Sequence, residues 1–495
     1  MRGHRHIGLL VVCAIIVACG SSPGSPSAAP SSATPRASAQ APSGGPSGSQ
    51  PAASSEAGSS QPAAVAPWTF ATGDIRALGF GADGTAYLFA WTGDQPSQLV
   101  ALDLAGAVKP GWPVEVGKDG VGGGPVEAPD GNVLLLTFSY DDAGVISYQL
   151  RRFDPDGTPA DGWPYRFDKG TDCAGPVLDA NGNAVVVCGS DAGSRMVAID
   201  PNGDAVWATD LPTVRNATGL QRGADGSLYV VSASGDGIMA VGATGLIPDG
   251  WPVEAGDGAD IVATPNGLLA WWHVGADQDI CHGGGTTVYT ILGPDGAPRS
   301  GWPQALVGYG SEPAVGQDGT VYVVDPAKHA IAYGSDGRVL AGWPATVSGV
   351  TGPCFGPPTP SVASDGTVFV ATGGAAPDGS LSAIGPDGRS LDGWPLAPQA
   401  EFAYSCRDCT PGPPEPNPAI TAGTATYIAM YRGDAQAGTD VVGLDRAGAV
   451  LPGWPAHLTA GEARLQLAPD GRLFAILVNP ESSTAATLAY LAPAR

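Results

Sequence analysis

The sequence predicts an all-β protein, a β-propeller of eight or nine four-stranded blades with nine favoured by the repeat count, and three observations carry that prediction. The tripeptide Gly-Trp-Pro occurs seven times, at Trp112, Trp163, Trp251, Trp302, Trp343, Trp394 and Trp454. With Trp207 counted as a degenerate copy, these tryptophans lie 51, 44, 44, 51, 41, 51 and 60 residues apart, a period that belongs to propeller blades and similar arrays. The second observation is strand chemistry. Runs such as Thr85 to Ala90, Asn132 to Phe138, Ser227 to Val231, Thr367 to Ala371 and Arg472 to Val478 are rich in β-branched and aromatic residues and bounded by Asp-Gly or Asn-Gly, the strongest short-range signal for strands joined by tight turns. The third is that almost nothing has helical periodicity. Sheets stacked radially leave only short, protected edges, so an all-β array of this period resolves as a propeller.

The chain opens with Arg2 and Arg5, then an apolar stretch from Ile7 to Val17. Residues 1–18 therefore read as a secretory signal peptide, too short to span a membrane as a helix. The ending Ile16-Val17-Ala18-Cys19 resembles the lipobox of bacterial lipoproteins, which implies that Cys19 becomes the lipidated first residue of the mature protein. Each buried CH2 of an acyl chain adds about 0.8 kcal/mol of membrane affinity, so a multiply acylated Cys19 needs no transmembrane helix. Residues 20–66 are nearly all Ser, Pro, Ala and Gly, with charge only at Arg36 and Glu56. Such a segment cannot bury enough apolar surface to fold, and its prolines favour an extended, disordered tether with a reach on the order of 100 Å.

Residues 67–495 form the propeller. Nine strand units start at Asp83, Asp130, Asn181, Asp225, Asn266, Asp318, Asp365, Gly423 and Asp470, yet only eight end in a tryptophan segment. The missing segment is at the other end, where Pro67-Trp68-Thr69 lies 44 residues before Trp112. This predicts circular closure, with an N-terminal strand completing the last blade.

The segment Ala198-Ile199-Asp200-Pro201-Asn202-Gly203-Asp204-Ala205-Val206-Trp207 resembles the tryptophan-docking motif of quinoprotein (PQQ-type) propellers, and Ala101, Asp103, Gly106 and Trp112 repeat it with a longer gap. The resemblance implies that Trp68, Trp112, Trp163, Trp207, Trp251, Trp302, Trp343, Trp394 and Trp454 pack between blades as structural residues, each wanting one acceptor for its indole N–H. Dehydrogenases of that family use an adjacent cysteine pair at the quinone. This chain has no Cys-Cys, so no cofactor is expected.

Six cysteines remain beside Cys19 in the mature chain: Cys173, Cys188, Cys281, Cys354, Cys406 and Cys409. An even number in an exported chain reads as disulfides. Cys173 and Cys188 flank Ala180-Asn181-Gly182 almost symmetrically and would lie opposite one another in a hairpin. The other four stay open: Cys406 with Cys409 and Cys281 with Cys354, or the CxxC split between the other two.

With strands running outward from the axis, the loops entering each blade share one face with the loops between second and third strands. All six cysteines and the longest insertions fall there, and long loops on a rigid scaffold are where binding concentrates. The candidate residues on this face are Tyr140, Trp272, His273, Asp279, His282, Phe355, Tyr404 and Arg407. Neither Asp-Pro-Asp-Gly at 154–157 nor the cluster around His273 has the ligand spacing of a calcium or zinc site, so no metal is expected. No HExxH or G-x-S-x-G is present to suggest hydrolysis. A net charge of −24 disfavours nucleic acid and anionic lipid surfaces. The reading is therefore an extracytoplasmic lipoprotein, anchored by lipid to the bacterial membrane, monomeric and non-catalytic, whose loop face binds or scaffolds a protein or polysaccharide of the cell envelope. The second hypothesis is an extracellular hydrolase or lyase acting on glycans, because paired carboxylates are set by folding and not by spacing.

Overall fold

The computed structural model describes residues 67–493, apart from 94, 233, 234, 236, 257, 276–283, 350–356, 373–379, 397–418, 432–437, 460, 461 and 479–484. It is an all-β propeller of nine blades, each an antiparallel sheet. Blades 1 to 8 span residues 74–117, 120–166, 172–211, 217–253, 260–307, 314–346, 361–396 and 420–458. Blade 9 joins Glu462–Leu467, Arg472–Val478 and Ala486–Pro493 to the N-terminal strand Trp68–Thr72. The expected closure is thus present, with register running from Trp68 opposite Tyr490 to Thr72 opposite Ala486. In blades 4 and 7 the fourth strand is reduced to a bridge, Ile238 with Val253 and Leu381 with Leu396.

The second strand of each blade shows why these sequences fold this way. In blade 1, Tyr87 and Phe89 pack toward blade 2, against Val133, Leu135 and Phe153. Leu88 and Ala90 point the other way, toward Phe474, Leu488 and Tyr490 of blade 9. A strand covered on both faces has no solvent side, so it reads as a continuous apolar run. The core is accordingly divided among the seams between blades, and no single interior cluster holds the molecule.

Tryptophans lock most of these seams. The indole N–H of Trp68, Trp112, Trp163, Trp251, Trp302, Trp343 and Trp394 donates to a carbonyl of the next blade, that of Leu104, Pro155, Pro201, Pro294, Ser335, Pro386 and Arg446 respectively. Each acceptor is the second residue past the next blade's third strand. The turns there are Asx turns, as where Asp103 Oδ1 accepts the amides of Ala105 and Ala107 at 2.9 Å each. Trp68 lies flat on Gly106, where a Cβ would come within 2.4 Å of the ring, so only glycine fits. Trp207 differs. Its ring covers Gly245, but its buried N–H finds no partner, and Thr209 Oγ1 donates to the Gly245 carbonyl.

Candidate functional site

The strand directions give the ring two unlike faces. The turn face carries the Asp-Gly hairpins and the tryptophan-docking turns, and the hairpin carboxylates named next are occupied by local backbone. Asp83, Asp130, Asp225, Asp318 and Asp365 each accept the amide two residues on, as an Asx turn requires. The chain enters the propeller on this face, because Trp68 begins the closing strand beside the Leu104 turn. The loop face holds the entries to each blade and the connections between second and third strands.

Cys173 and Cys188 sit directly opposite in the blade 3 hairpin and form the expected disulfide. It fixes the loop-face end of two strands, and Phe138 and Tyr148 of blade 2 pack in the same buried cluster. Tyr140 ends the second strand of blade 2 with 64% of its surface exposed. Its ring stands edge-on against Phe138, with centroids 5.8 Å apart and planes at 81°, and Phe138 in turn packs on Tyr148 at 5.5 Å. The connection that follows is tight: Asp141 Oδ1 accepts the amides of Ala143 and Val145, and Asp141 Oδ2 meets Lys169 Nζ at 3.2 Å. The Val145 amide, and then Lys169, hold the Asp141 carboxyl below the usual carboxylate range. The result is an exposed aromatic ring braced by Phe138 and followed by a hydrogen-bonded turn, the kind of side chain that dominates protein interfaces.

Blade 5 supplies a second feature. His273 stacks on Tyr309 with centroids 3.7 Å apart, and its Nδ1 lies 2.9 Å from Thr287 Oγ1. The Thr287 hydroxyl donates its one proton to the Gly308 carbonyl at 2.9 Å and accepts the Gly310 amide at 2.8 Å. His273 Nδ1 must therefore be the donor to Thr287, which leaves Nε2 as an acceptor. Burial holds the imidazole below its usual pKa, so the neutral form persists. Trp271 and Trp272 point into opposite seams, Trp271 toward blade 6 and Trp272 toward blade 4.

Acids also begin several inner strands on this face. Asp119 is tied to Arg151 Nη2 at 2.7 Å and to Gln149 Nε2 at 2.9 Å. Asp260 opens the first strand of blade 5 and accepts only its neighbouring Ile261 amide among the bonds described. Burial pushes its carboxyl pKa up.

Of the sequence candidates, the structure therefore places Tyr140, Trp272 and His273 on the loop face, in blades 2 and 5 and not in one cluster. Asp279, His282, Phe355, Tyr404 and Arg407 lie outside the described residues, as do Cys19, Cys281, Cys354, Cys406 and Cys409. Sequence reasoning missed Tyr309, Thr287 and Asp260. Only the register could have shown Asp260, since Asp172 begins the blade 3 inner strand in the same way. Among the described residues no group of His, Cys, Asp and Glu is placed to hold a metal ion, and no helix is long and apolar enough to cross a membrane.

No family model matches the chain, and no curated protein does either. Among solved structures, BamB from Moraxella catarrhalis is similar at 17% identity, covering 74% of this chain and 96% of that one, with a TM-score of 0.37. A europium-containing methanol dehydrogenase is 14% identical over 86% of this chain and 92% of its own, with a TM-score of 0.38. Virginiamycin B lyase from Staphylococcus aureus is 11% identical over 72% and 94%, with a TM-score of 0.31. At these levels the likeness concerns the propeller fold alone.

Proposed function

We propose that this protein is a cell-envelope lipoprotein, anchored through Cys19 and the 20–66 tether, whose propeller is a non-catalytic binding or scaffolding module for an envelope protein or polymer. The single observation that carries the reading is the polarity of the ring. The chain enters on the turn face, where hairpin carboxylates such as Asp103 and carbonyls such as those of Leu104 and Pro155 are committed to Asx turns and tryptophan docking. The opposite face bears Tyr140, braced by Phe138, and the His273 and Tyr309 stack. The closing strand thus begins at the end of the ring opposite Tyr140.

The test is capture from solubilised envelope with residues 67–495, followed by binding measurements on the retained component. Tyr140→Ala is expected to weaken binding about 5- to 30-fold, the range of a 1–2 kcal/mol interface anchor. Val206→Ala, in the exposed outer strand of blade 3, should leave it unchanged. Equal effects from both substitutions would count against the loop face. The lipid anchor is tested separately by incorporation of a labelled fatty acid, which Cys19→Ala should abolish.

Asp260 favours a second reading, an enzyme acting on glycans. A buried carboxyl with a raised pKa is what a general acid requires. Release of reducing ends from wall or capsular polysaccharide, lost in Asp260→Asn, would establish it.

A further inference from the structure

Blade 3 departs from the repeat at one point. In blades 1, 2, 4, 5, 6, 7 and 8 the docking tryptophan stands ten residues past the end of the third strand, as Trp112 does past Ser97–Leu102 and Trp302 past Thr286–Leu292. Trp207 stands eight past Gly193–Ile199, and the Gly and Pro of the repeat are replaced there by Val206 and Ala208.

The shortened connection changes the strand that follows. Elsewhere two turns bring the chain to Gly-Trp-Pro, and the proline has no N–H to give to a ladder. The fourth strands that begin directly after it, Val114–Gly117, Tyr165–Arg166, Gln304–Val307, Ala345–Thr346 and Ala456–Leu458, have two to four residues. In blade 3 the Asp200 turn leads straight into Ala205–Leu211, seven residues without a proline. The strand is paired along its length, from Ala205 opposite Ile199 to Leu211 opposite Ser194. Trp207 is carried inside it, and the indole covers Gly245 with no acceptor for its buried N–H.

This strand is an open edge. Among the described strands its one hydrogen-bonded neighbour is Gly193–Ile199, and Ala205, Val206, Ala208 and Asp210 are exposed. Antiparallel pairing engages alternate residues, so roughly three of the seven turn both N–H and C=O outward, along about 20 Å of edge. Such a row is a template for another strand, which proteins blunt by shortening the edge or by placing proline on it. The other blades do both, and the closing strand of blade 9 follows directly on Pro67. Blade 3 does neither. Outward donors and acceptors at strand spacing are matched by an extended peptide backbone.

Charge selects among such peptides. Asp204 is exposed at the turn end of the strand, and the exposed Asp161 precedes Gly162, which abuts the Asn202 carbonyl of the same turn. At the other end Asp210 is shared with Arg195 at 3.0 Å. A second copy of the chain would bring a net charge of −24 against −24, and pairing about Trp207 would set its Asp210 opposite Asp204. The complement to this edge is therefore basic.

We propose that Ala205–Leu211 is a strand-addition site, where an extended, lysine-bearing segment of another protein adds a fifth strand to blade 3 with a lysine at the Asp161 and Asp204 end. The site lies on the outer rim of the ring, so it does not depend on the loop-face partner proposed above.

The probe is a synthetic peptide of about nine residues, alternating valine and threonine with lysine at both ends, titrated against the full chain while amide hydrogen exchange is followed. Peptide-dependent protection is expected within residues 205–211. Two further peptides carry N-methyl groups on alternate amides, one on each parity. One of them should bind about tenfold or more weakly, through the loss of two or more main-chain bonds, and the other within about twofold of the parent. Charge attraction alone gives no such alternation. Replacing residues 200–208 with the sequence of residues 154–164 restores the ten-residue spacing and Gly-Trp-Pro, and should abolish binding. Equal weakening by both methylated peptides, protection outside 205–211, unchanged binding to the graft or no binding by the parent chain would overturn the proposal. Protection of 205–211 that rises with protein concentration in the absence of peptide, with a dimer in sedimentation, would assign the edge to a second copy and overturn it as well. The methylated peptides are tested on the unaltered chain, so they decide the question whether or not the graft folds.

Discussion

An indole between two blades contributes in two separable ways, apolar area and one hydrogen bond, and Trp343 allows them to be told apart. It is 7% exposed, and its N–H donates to the Pro386 carbonyl at 3.3 Å. Trp343→Phe keeps most of the area and loses the bond, so we expect a loss of about 1 kcal/mol in urea unfolding. Trp343→Ala should lose about 3–5 kcal/mol because it opens a cavity in the seam. Trp207, whose N–H is already unpartnered, should tolerate the change to Phe with no such penalty. Asp260 behaves oppositely to Asp141, whose carboxyl its hydrogen bonds hold low. Burial raises its folded-state pKa, so the folded form prefers the proton. Its contribution to stability is full below the unfolded pKa and lost as pH rises through the raised folded value. Asp260→Asn should therefore raise the unfolding midpoint at pH 7, with the gain disappearing below about pH 4, where both forms are neutral. A midpoint that falls at pH 7 would show that the ionised carboxylate has a partner that stabilises it.

At the scale of the hairpin, the Cys173 and Cys188 pair closes a loop with a sequence separation of 15. Replacing both cysteines with alanine should cost about 2–3 kcal/mol, mainly by freeing the unfolded chain, and urea midpoints with and without the substitution measure it. This bridge was legible because hairpin symmetry about Asn181 sets the cross-strand register without any tertiary information. The second strands were legible for a related reason: burial on both faces writes itself as an unbroken apolar run. The closing strand was legible as well, since Trp68 keeps the spacing of the repeat. Less showed in blades 4 and 7. Trp251 and Trp394 are present there, yet the chain beyond each proline makes only a bridge, a difference of backbone pairing that the tripeptide does not encode. The His273 and Tyr309 stack was hidden for a third reason. Tyr309 lies beyond the fourth strand of blade 5 and His273 in its second, and the sheet, not sequence proximity, brings them together.

At the scale of the molecule, stability is a sum of seams, and the seam between blades 9 and 1 is the one in which chain order and spatial order disagree. If the ring needs only the right neighbours, the order in which the strands are synthesised should not matter. A circular permutant tests this directly. It would start at Asp74 and append residues 68–72 after Pro493 through a turn of the Asp-Pro-Asp-Gly kind used at 154–157 in blade 2. Blade 9 would then have a covalent third-to-fourth connection like its neighbours, with Trp68 still able to reach the Leu104 carbonyl. We expect a thermal midpoint within a few degrees of the parent, because the buried cluster around Phe474 and Leu488 is retained. Deleting residues 67–73 instead should expose that cluster, remove the Trp68 dock and lower the midpoint far more, by several kcal/mol of lost burial and hydrogen bonding. Should the permutant be as unstable as the deletion, the N-terminal placement of the closing strand would be a requirement of folding and not only of where the tether attaches.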